Sequence, residues 1–190
     1  MQAIHHPVAK IFPTIDLGDF VLREKQESDV ETFFGYYSDP QVNEFILCEI
    51  PKTIEEAKRE LLYWRGIFYQ NDGVYFAIAD KKSGEMVGSI GITGHNPYQS
   101  RIELSYDLSA PYWRRGIMTS AIMAVVKYAF VEWKVNRIEA VASIFNIPSK
   151  NLLLKSGFTL EGVLRQHRYH RGRFVDVYSF SLLREEFPVI

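Results

Sequence analysis

Residues 111–119 combine aromatic, basic and glycine residues where a strand pattern gives way to a helix pattern. Residues 101–108 alternate apolar and polar side chains, which predicts a half-buried strand, and apolar residues then recur at helical spacing. The first turn of a helix has unpaired N–H groups at the positive end of the helix dipole, and such a terminus binds phosphate readily. Arg114 and Arg115 add positive charge, and Gly116 lets a ligand approach the backbone. The alternative is an ordinary turn with two solvated arginines.

A second group of polar residues follows the next strand pattern, at residues 137–143. Asn146 and Ser149 lie where a short helix would begin, because proline is favoured in a first helical turn and glycine after a last one, and Pro148 and Gly157 occupy those positions. Both side chains can cap a helix, and both can equally bond a ligand that passes it. These residues alone do not decide between helix capping and ligand binding.

The remaining patterns supply the elements that must hold these two segments. Two Ser/Thr-x-x-Glu sequences, at residues 28–31 and 53–56, predict the starts of two helices. In chain order the sequence predicts an N-terminal extension at 1–18, a strand at 19–24, the two helices, strands at 74–79, 86–94 and from 101, a helix from 117, a strand at 137–143, a short helix from 148, and two long strands within 159–183. This order indicates a mixed α/β fold whose central helix crosses between adjacent strands.

Length and composition exclude several classes of protein. At 190 residues the chain is long enough for one domain, residues 1–190, with a sizeable core. A formal net charge of −1 is not that of a general nucleic-acid binder. Cys48 is the one cysteine, which excludes an internal disulfide and a cysteine zinc cluster. Because the sequence has neither a secretory pattern nor a membrane-spanning run, we expect a cytoplasmic protein, either monomer or homodimer.

Together the two polar segments resemble the GNAT superfamily of acyl-CoA-dependent N-acyltransferases, and within it the RimJ/RimL branch of ribosomal-protein N-terminal acetyltransferases. That branch often reads Tyr-Trp-Gly-x-Gly-Ile-Met-Thr-Glu-Ala at its phosphate loop, and residues 112–121 match most of it. The downstream pattern of the branch is met by Asn146, Ser149, Lys155, Gly157 and Phe158. Two residues depart from the pattern, since Arg114 replaces a frequent glycine and Ser120 a frequent glutamate. The resemblance runs from about residue 20 to about residue 187.

The resemblance implies a GNAT-like fold: a twisted, mostly antiparallel sheet of about seven strands with about four helices, splayed where the acyl-CoA inserts. It implies acetyl-CoA as co-substrate and no metal. Asn146 would bond the pantetheine arm. The backbone amides that would hold the coenzyme A pyrophosphate are those of Arg114, Arg115, Gly116, Ile117, Met118 and Thr119.

The implied reaction needs a base and a hydrogen-bond donor for the leaving thiolate. Glu103 is the first candidate base, because it lies on the strand that enters the phosphate loop, although it could be only a solvated or cross-strand-paired side chain. Asp176, on the final hairpin, is the second candidate and has a structural alternative. Many family members carry a tyrosine donor where this chain has Leu153. Ser149 is therefore the expected donor.

The sequence does not identify the amine that accepts the acetyl group. The branch resemblance implies a protein N-terminus, with a ribosomal protein as a possible partner, while a polyamine, an amino sugar or an antibiotic amine is the alternative. Residues 165–174 hold four arginines and two histidines interleaved with aromatics. This run can be a solvated hairpin tip, can steer an acidic substrate, or can dock RNA in a non-catalytic acyl-CoA-binding module.

Overall fold

The computed structural model describes residues 10–188, which form one eight-stranded sheet with helices on both faces. The strands follow the order β1-β2-β3-β4-β5-β6-β8-β7 across the sheet, and only the β5–β6 pair is parallel. The strands are β1 (Ile15–Leu17), β2 (Phe20–Arg23), β3 (Val74–Asp80), β4 (Met86–Asn96), β5 (Arg101–Leu108), β6 (Arg137–Ser143), β7 (Thr159–His170) and β8 (Arg173–Leu183). The helices are α1 (Val30–Tyr37), α2 (Pro40–Asn43), α3 (Ile54–Gly66), α4 (Ile117–Glu132) and α5 (Ile147–Lys155). The predicted mixed α/β, mostly antiparallel architecture is confirmed.

Strand β1 is an element that the sequence patterns placed outside the sheet. The prediction of an extension at residues 1–18 is wrong for Ile15–Leu17, which pairs with β2. Ahead of β1, the Lys10 ammonium donates to the Phe68 carbonyl at 2.6 Å, and the Phe12 ring packs on the Phe68 ring at a centroid distance of 4.9 Å. Three residues are too few for a period-two pattern to stand out, so this strand is recognisable only from its pairing. Residues 1–9 of the predicted extension lie outside the described residues.

The start of α1 also differs from the sequence prediction. The expected capping box at 28–31 does not form. The capping contact lies two residues earlier, where the Asp29 carboxylate accepts the Gln26 N–H at 2.7 Å; the same carboxylate accepts two hydrogen bonds from Arg23, at 2.7 and 2.8 Å. A short 3-10 turn at Glu27–Asp29 begins there and precedes the helix. At α3 the Thr53 hydroxyl does accept the Glu56 N–H, as predicted, at 3.2 Å. At the first helix Asp29 thus combines a local cap with an ion pair.

The sheet opens between its two central strands. Parallel pairing joins Arg101–Leu104 to Arg137–Ala140 and then stops. Beyond those residues β5 continues beside β4, and β6 continues beside β8. We call the space between residues 105–108 of β5 and 141–143 of β6 the central gap. The predicted splay is therefore present, and α4 makes the crossover that brings the two strands side by side.

Alternation along β5 assigns its side chains to different faces. Ile102 and Leu104 are buried against the core that includes α4, and Tyr106 packs at the margin of the same core. Glu103 belongs to the opposite face, which α1 and α3 cover over β3 and β4 but leave more open over β5 and β6. The two faces of β5 therefore present different chemistry to the central gap.

A buried polar cluster lies between α1 and the sheet. Lys25 is only 1% exposed, and its ammonium donates to the Ser89 hydroxyl at 2.6 Å. The Tyr36 hydroxyl donates to the Asp107 carboxylate at 2.7 Å, and the Ser89 N–H donates to the same oxygen at 3.1 Å. Burial lowers the pKa of Lys25 to about 8, although the charge of Asp107 opposes the shift.

Within residues 10–188 no helix is both long and apolar enough to cross a bilayer.

Candidate functional site

The start of α4 presents unpaired backbone donors. Gly116 is its N-cap residue, with φ of 78°, and no side chain caps the helix. The first hydrogen bond of the helix runs from the Ser120 N–H to the Gly116 carbonyl at 3.1 Å. Within the described part of the chain the N–H groups of Ile117, Met118 and Thr119 consequently have no acceptor. These donors, at the positive end of a 16-residue helix, fit a diphosphate.

The loop before the helix is held in an unusual conformation. Arg114 has φ of 60°, in the left-handed region that glycine adopts most easily. This conformation explains why the resembling branch often has glycine at that position. The Trp113 indole N–H donates to the Leu108 carbonyl at 2.7 Å, and the Arg115 guanidinium lies over the Tyr112 ring, 5.1 Å from its centroid. Both arginines are exposed beside the free amides, so both can reach an anion there.

Asn146 serves as the N-cap of α5. Its side-chain oxygen accepts the Ser149 N–H at 3.0 Å, so the capping role left open by the sequence is confirmed for that oxygen. Capping uses one end of the amide only. The two Nδ2 hydrogens donate to no group in residues 10–188 and can serve a ligand that passes the helix start.

Ser149 has a hydrogen-bond partner that the sequence interpretation missed. Its hydroxyl lies 2.8 Å from the Tyr106 hydroxyl. Burial raises the pKa of Tyr106 to about 12, so the phenol stays protonated at neutral pH. The signal was available, because period-two alternation places Tyr106 on the same face as Ile102 and Leu104, next to the central gap.

Glu103 lies on the other face of β5 and is paired. Its carboxylate accepts a hydrogen bond from the Arg168 guanidinium at 2.8 Å, and the two side chains are 39% and 36% exposed. Glu139 is its direct neighbour on β6 and is held by Arg101 at 2.7 Å and by Arg137 at 2.8 Å. A shallow pocket borders Glu103, lined also by Thr93, Gly94, Asn96, Arg101, Ile102 and Glu139. The carboxylate is thus reachable from solvent.

Asp176 stabilises the fold of the last hairpin. Its carboxylate accepts the Gln166 N–H at 2.8 Å, and Gln166 has φ of 51°. This bond closes the irregularity in the β7–β8 register between Leu164 and Arg168. No hydrogen bond joins Asp176 to Glu103 or to Ser149. The geometry favours the structural alternative for this residue.

Cys48 is a poor nucleophile, although the residue as a whole is exposed. Its sulfur lies 3.4 Å from the Tyr37 hydroxyl, and partial enclosure of the thiol raises its pKa to about 11. A thiol with this pKa supplies little thiolate at neutral pH. Residues 10–188 also contain no group of three or more His, Cys, Asp or Glu side chains arranged to hold a metal ion.

Comparison with known proteins shows what the chain is similar to. A family model described as "Acetyltransferase (GNAT) domain" matches residues 19–159. The uncharacterized N-acetyltransferase YoaA of Bacillus subtilis (strain 168) is 30% identical over 174 residues, which cover 92% of this chain and 98% of that protein. The ribosomal-protein-serine acetyltransferase of Escherichia coli (strain K12) is 26% identical over 100 residues, 53% of this chain and 56% of that one.

A solved structure reproduces the fold. The spermidine N-acetyltransferase from Vibrio cholerae, in complex with CoA and spermine, superposes with a TM-score of 0.77 at 18% identity, covering 89% of this chain and 98% of that one. Identity at this level shows a shared architecture of sheet and helices. It does not carry the acceptor of one protein over to the other.

Proposed function

The chain belongs to the GNAT acetyltransferase family and is an N-acetyltransferase; we propose that it transfers acetyl directly from acetyl-CoA to the α-amino group of a protein N-terminus. One observation carries the proposal: a single strand, β5, holds Glu103 and also Tyr106, which bonds Ser149 across the central gap, and the free amides of α4 follow the end of the same strand. The relative that is named a ribosomal-protein-serine acetyltransferase supports a protein acceptor.

The donor half of the site binds the acetyl-CoA that GNAT acetyltransferases use. We assign the pyrophosphate to the N–H groups of Ile117, Met118 and Thr119, with Arg114 and Arg115 neutralising its charge. The free Nδ2 of Asn146 donates to a carbonyl of the pantetheine arm. The central gap leaves backbone groups of β5 and β6 that can bond the same arm.

Ser149 and Tyr106 act on the leaving sulfur. A thiolate with a parent thiol pKa near 8.5 is a weak base, so a hydrogen bond is enough to stabilise its departure. Both hydroxyls carry a proton at neutral pH; when the Tyr106 phenol is the donor to the Ser149 oxygen, the Ser149 proton is free to point at the sulfur. Tyr106 is thus a positioning residue for Ser149.

Glu103 acts on the amine. An N-terminal α-amino group titrates near pH 8, so a fair fraction is neutral at physiological pH, whereas a lysine ε-amine is harder to deprotonate. Glu103 takes the proton that the amine loses on acylation, directly or through one water. Because the thiol of Cys48 has a raised pKa, we propose a sequential transfer without an acyl-enzyme.

Acetyl-CoA and a panel of amines test the proposal. The panel contains short peptides with free N-termini, N-terminally blocked peptides with an internal lysine, spermidine and an aminoglycoside. We expect thiol release and a 42 Da gain on the free N-terminus. Calorimetry with acetyl-CoA, and Gly116→Glu as a donor-site control, separate loss of donor binding from a wrong acceptor. Thiol release with spermidine and with no peptide would show that the acceptor is a polyamine and not a protein N-terminus.

A further inference from the structure

The last hairpin reaches across the acceptor side of the sheet. We call residues 165–174 the hairpin tip. From it, Arg168 extends to Glu103 on β5 at 2.8 Å, and Arg171 donates to the Asn43 side chain of α2 at 2.8 Å. The tip therefore bridges from the proposed base to the helix that follows α1. An amine that binds at Glu103 therefore lies beside Arg168 of the tip.

The hairpin tip carries more positive charge than its ion pairs compensate. Of its four arginines only Arg168 pairs with a carboxylate in residues 10–188, and Arg165 and Arg173 are exposed without an ion pair there. The pKa of His170 is lowered first by burial and then by the charges of Arg171 and Arg173.

The one ion pair of the tip is easily exchanged. Arg168 and Glu103 are both more than a third exposed, and exposed pairs of this kind contribute about 0–1 kcal/mol. An acceptor that offers an ammonium to Glu103 and a carboxylate to Arg168 keeps both charges paired. A polyamine offers only cations, which leaves Arg168 unpaired and brings like charges together.

We propose that the hairpin tip recognises acidic residues immediately following the reactive amine, so that the preferred acceptor is a protein N-terminus with Asp or Glu among its first residues. This inference rests on the proposed function and deepens it. Arg168 binds the first carboxylate, and Arg165 and Arg173 bind those that follow. RNA docking is less favoured, because the chain as a whole carries a formal net charge of −1, which is not that of a general nucleic-acid binder.

Three matched peptides test the preference. They share a free N-terminal serine and differ only in the next three residues, which are acidic, their amide counterparts, or lysines. We expect kcat/KM for the acidic peptide to exceed that for the amide peptide by about tenfold at low salt, with the lysine peptide lowest. The preference should shrink as salt rises to about 0.5 M.

Charge reversal identifies the residues responsible. Arg165→Glu with Arg173→Glu should abolish the acidic preference and raise activity on the lysine peptide, with acetyl-CoA affinity unchanged. Lys127→Glu is the control for each of the two reversals, because it makes the same two-unit charge change as either one alone, on an exposed position of α4 against the other face of the sheet. It should leave the preference intact.

The outcomes separate the two proposals. If no N-terminus is acetylated, the proposed function fails. If N-termini are acetylated equally whatever residues follow, only the acidic preference is overturned. Salt-sensitive RNA binding that is lost in the Arg165→Glu, Arg173→Glu variant, with no peptide preference in the parent, would assign the tip to RNA instead.

Discussion

Tyr106 and Ser149 are hydrogen bonded at 2.8 Å, although 43 residues separate them along the chain. The bond joins the part of β5 that runs beyond its pairing with β6 to the first turn of α5. It fixes the Ser149 hydroxyl at the edge of the central gap. Burial raises the pKa of the Tyr106 phenol to about 12, so the phenol keeps its proton over the whole working range of pH.

Replacing either partner should slow the chemical step. We expect Tyr106→Phe to lower kcat about tenfold with a small change in the KM for acetyl-CoA, because the variant keeps the ring and loses one oriented donor. Ser149→Ala should cost at least as much, and the double variant little more, since both act through one hydroxyl. Steady-state kinetics checks this, and additive losses in the double variant would contradict the shared role.

Replacing Glu103 should remove base catalysis. We expect Glu103→Gln to lower kcat/KM by about 10²–10⁴-fold and to leave a rate that rises with pH only as the amine itself deprotonates. Asp176→Asn is the control, because it weakens the bond to Gln166 and hence stability, with the pH profile retained. If turnover of Glu103→Gln equals that of the parent from pH 6 to 9, another group or a water chain removes the proton.

Two glycine changes in the phosphate loop should have opposite effects on stability. The left-handed conformation of Arg114 costs free energy, because its side chain is strained at positive φ. Arg114→Gly should therefore leave the free energy of unfolding unchanged or raise it by up to about 1 kcal/mol. Gly116→Ala should destabilise by about 1 kcal/mol, although a Cβ there meets no atom within 4 Å. Denaturant titration measures both.

The same pair should differ in acetyl-CoA affinity. Gly116→Ala places a methyl beside the free N–H groups and should weaken binding, and Arg114→Gly should weaken it by removing one charge. Raised salt should narrow the difference in acetyl-CoA affinity between Arg114→Gly and the parent, because that loss is electrostatic, and should leave the difference for Gly116→Ala unchanged. Calorimetry at two salt concentrations measures both differences. Unaltered affinity in Gly116→Ala would mean that the pyrophosphate binds elsewhere.

Lys25 should make stability depend on pH. Its pKa is about 8 in the folded protein against an ordinary value of 10.5, so the unfolded chain binds more protons between these values. The free energy of unfolding should therefore rise by about 1 kcal/mol from pH 7.5 to pH 9 through this group. In Lys25→Met the rise should vanish. An identical slope in both proteins would show that Lys25 stays charged when buried.

The local parts of the site were predictable from the sequence, and the long-range ones were not. The helix starts at Gly116 and Asn146 are determined by residues a few positions apart, so capping and periodicity predict them. The ion-pair partner of Arg168 could not be predicted in this way, because the register of β7 shifts between Leu164 and Arg168. That shift breaks the period-two rule, so the face on which Arg168 lies cannot be counted from its neighbours.

The same distinction explains the first helix. Ser28 and Glu31 have the spacing of a capping box, yet the capping contact forms two residues earlier, between the Gln26 N–H and the Asp29 carboxylate. The sequence shows a set of short polar side chains and cannot rank their competing partners. Burial favours Asp29, because the largely enclosed Arg23 needs that carboxylate as its partner.

The position of β8 in the sheet couples the two halves of the proposed site. β7 has β8 as its only neighbour among the described strands. Without β8, β7 has no strand against which to lie, so Arg168 cannot be held at Glu103. β8 also pairs with the whole of β6, the strand that leads to Asn146 and Ser149. A change that loosens β8 should therefore disturb the proposed acceptor contact and the proposed coenzyme contacts together.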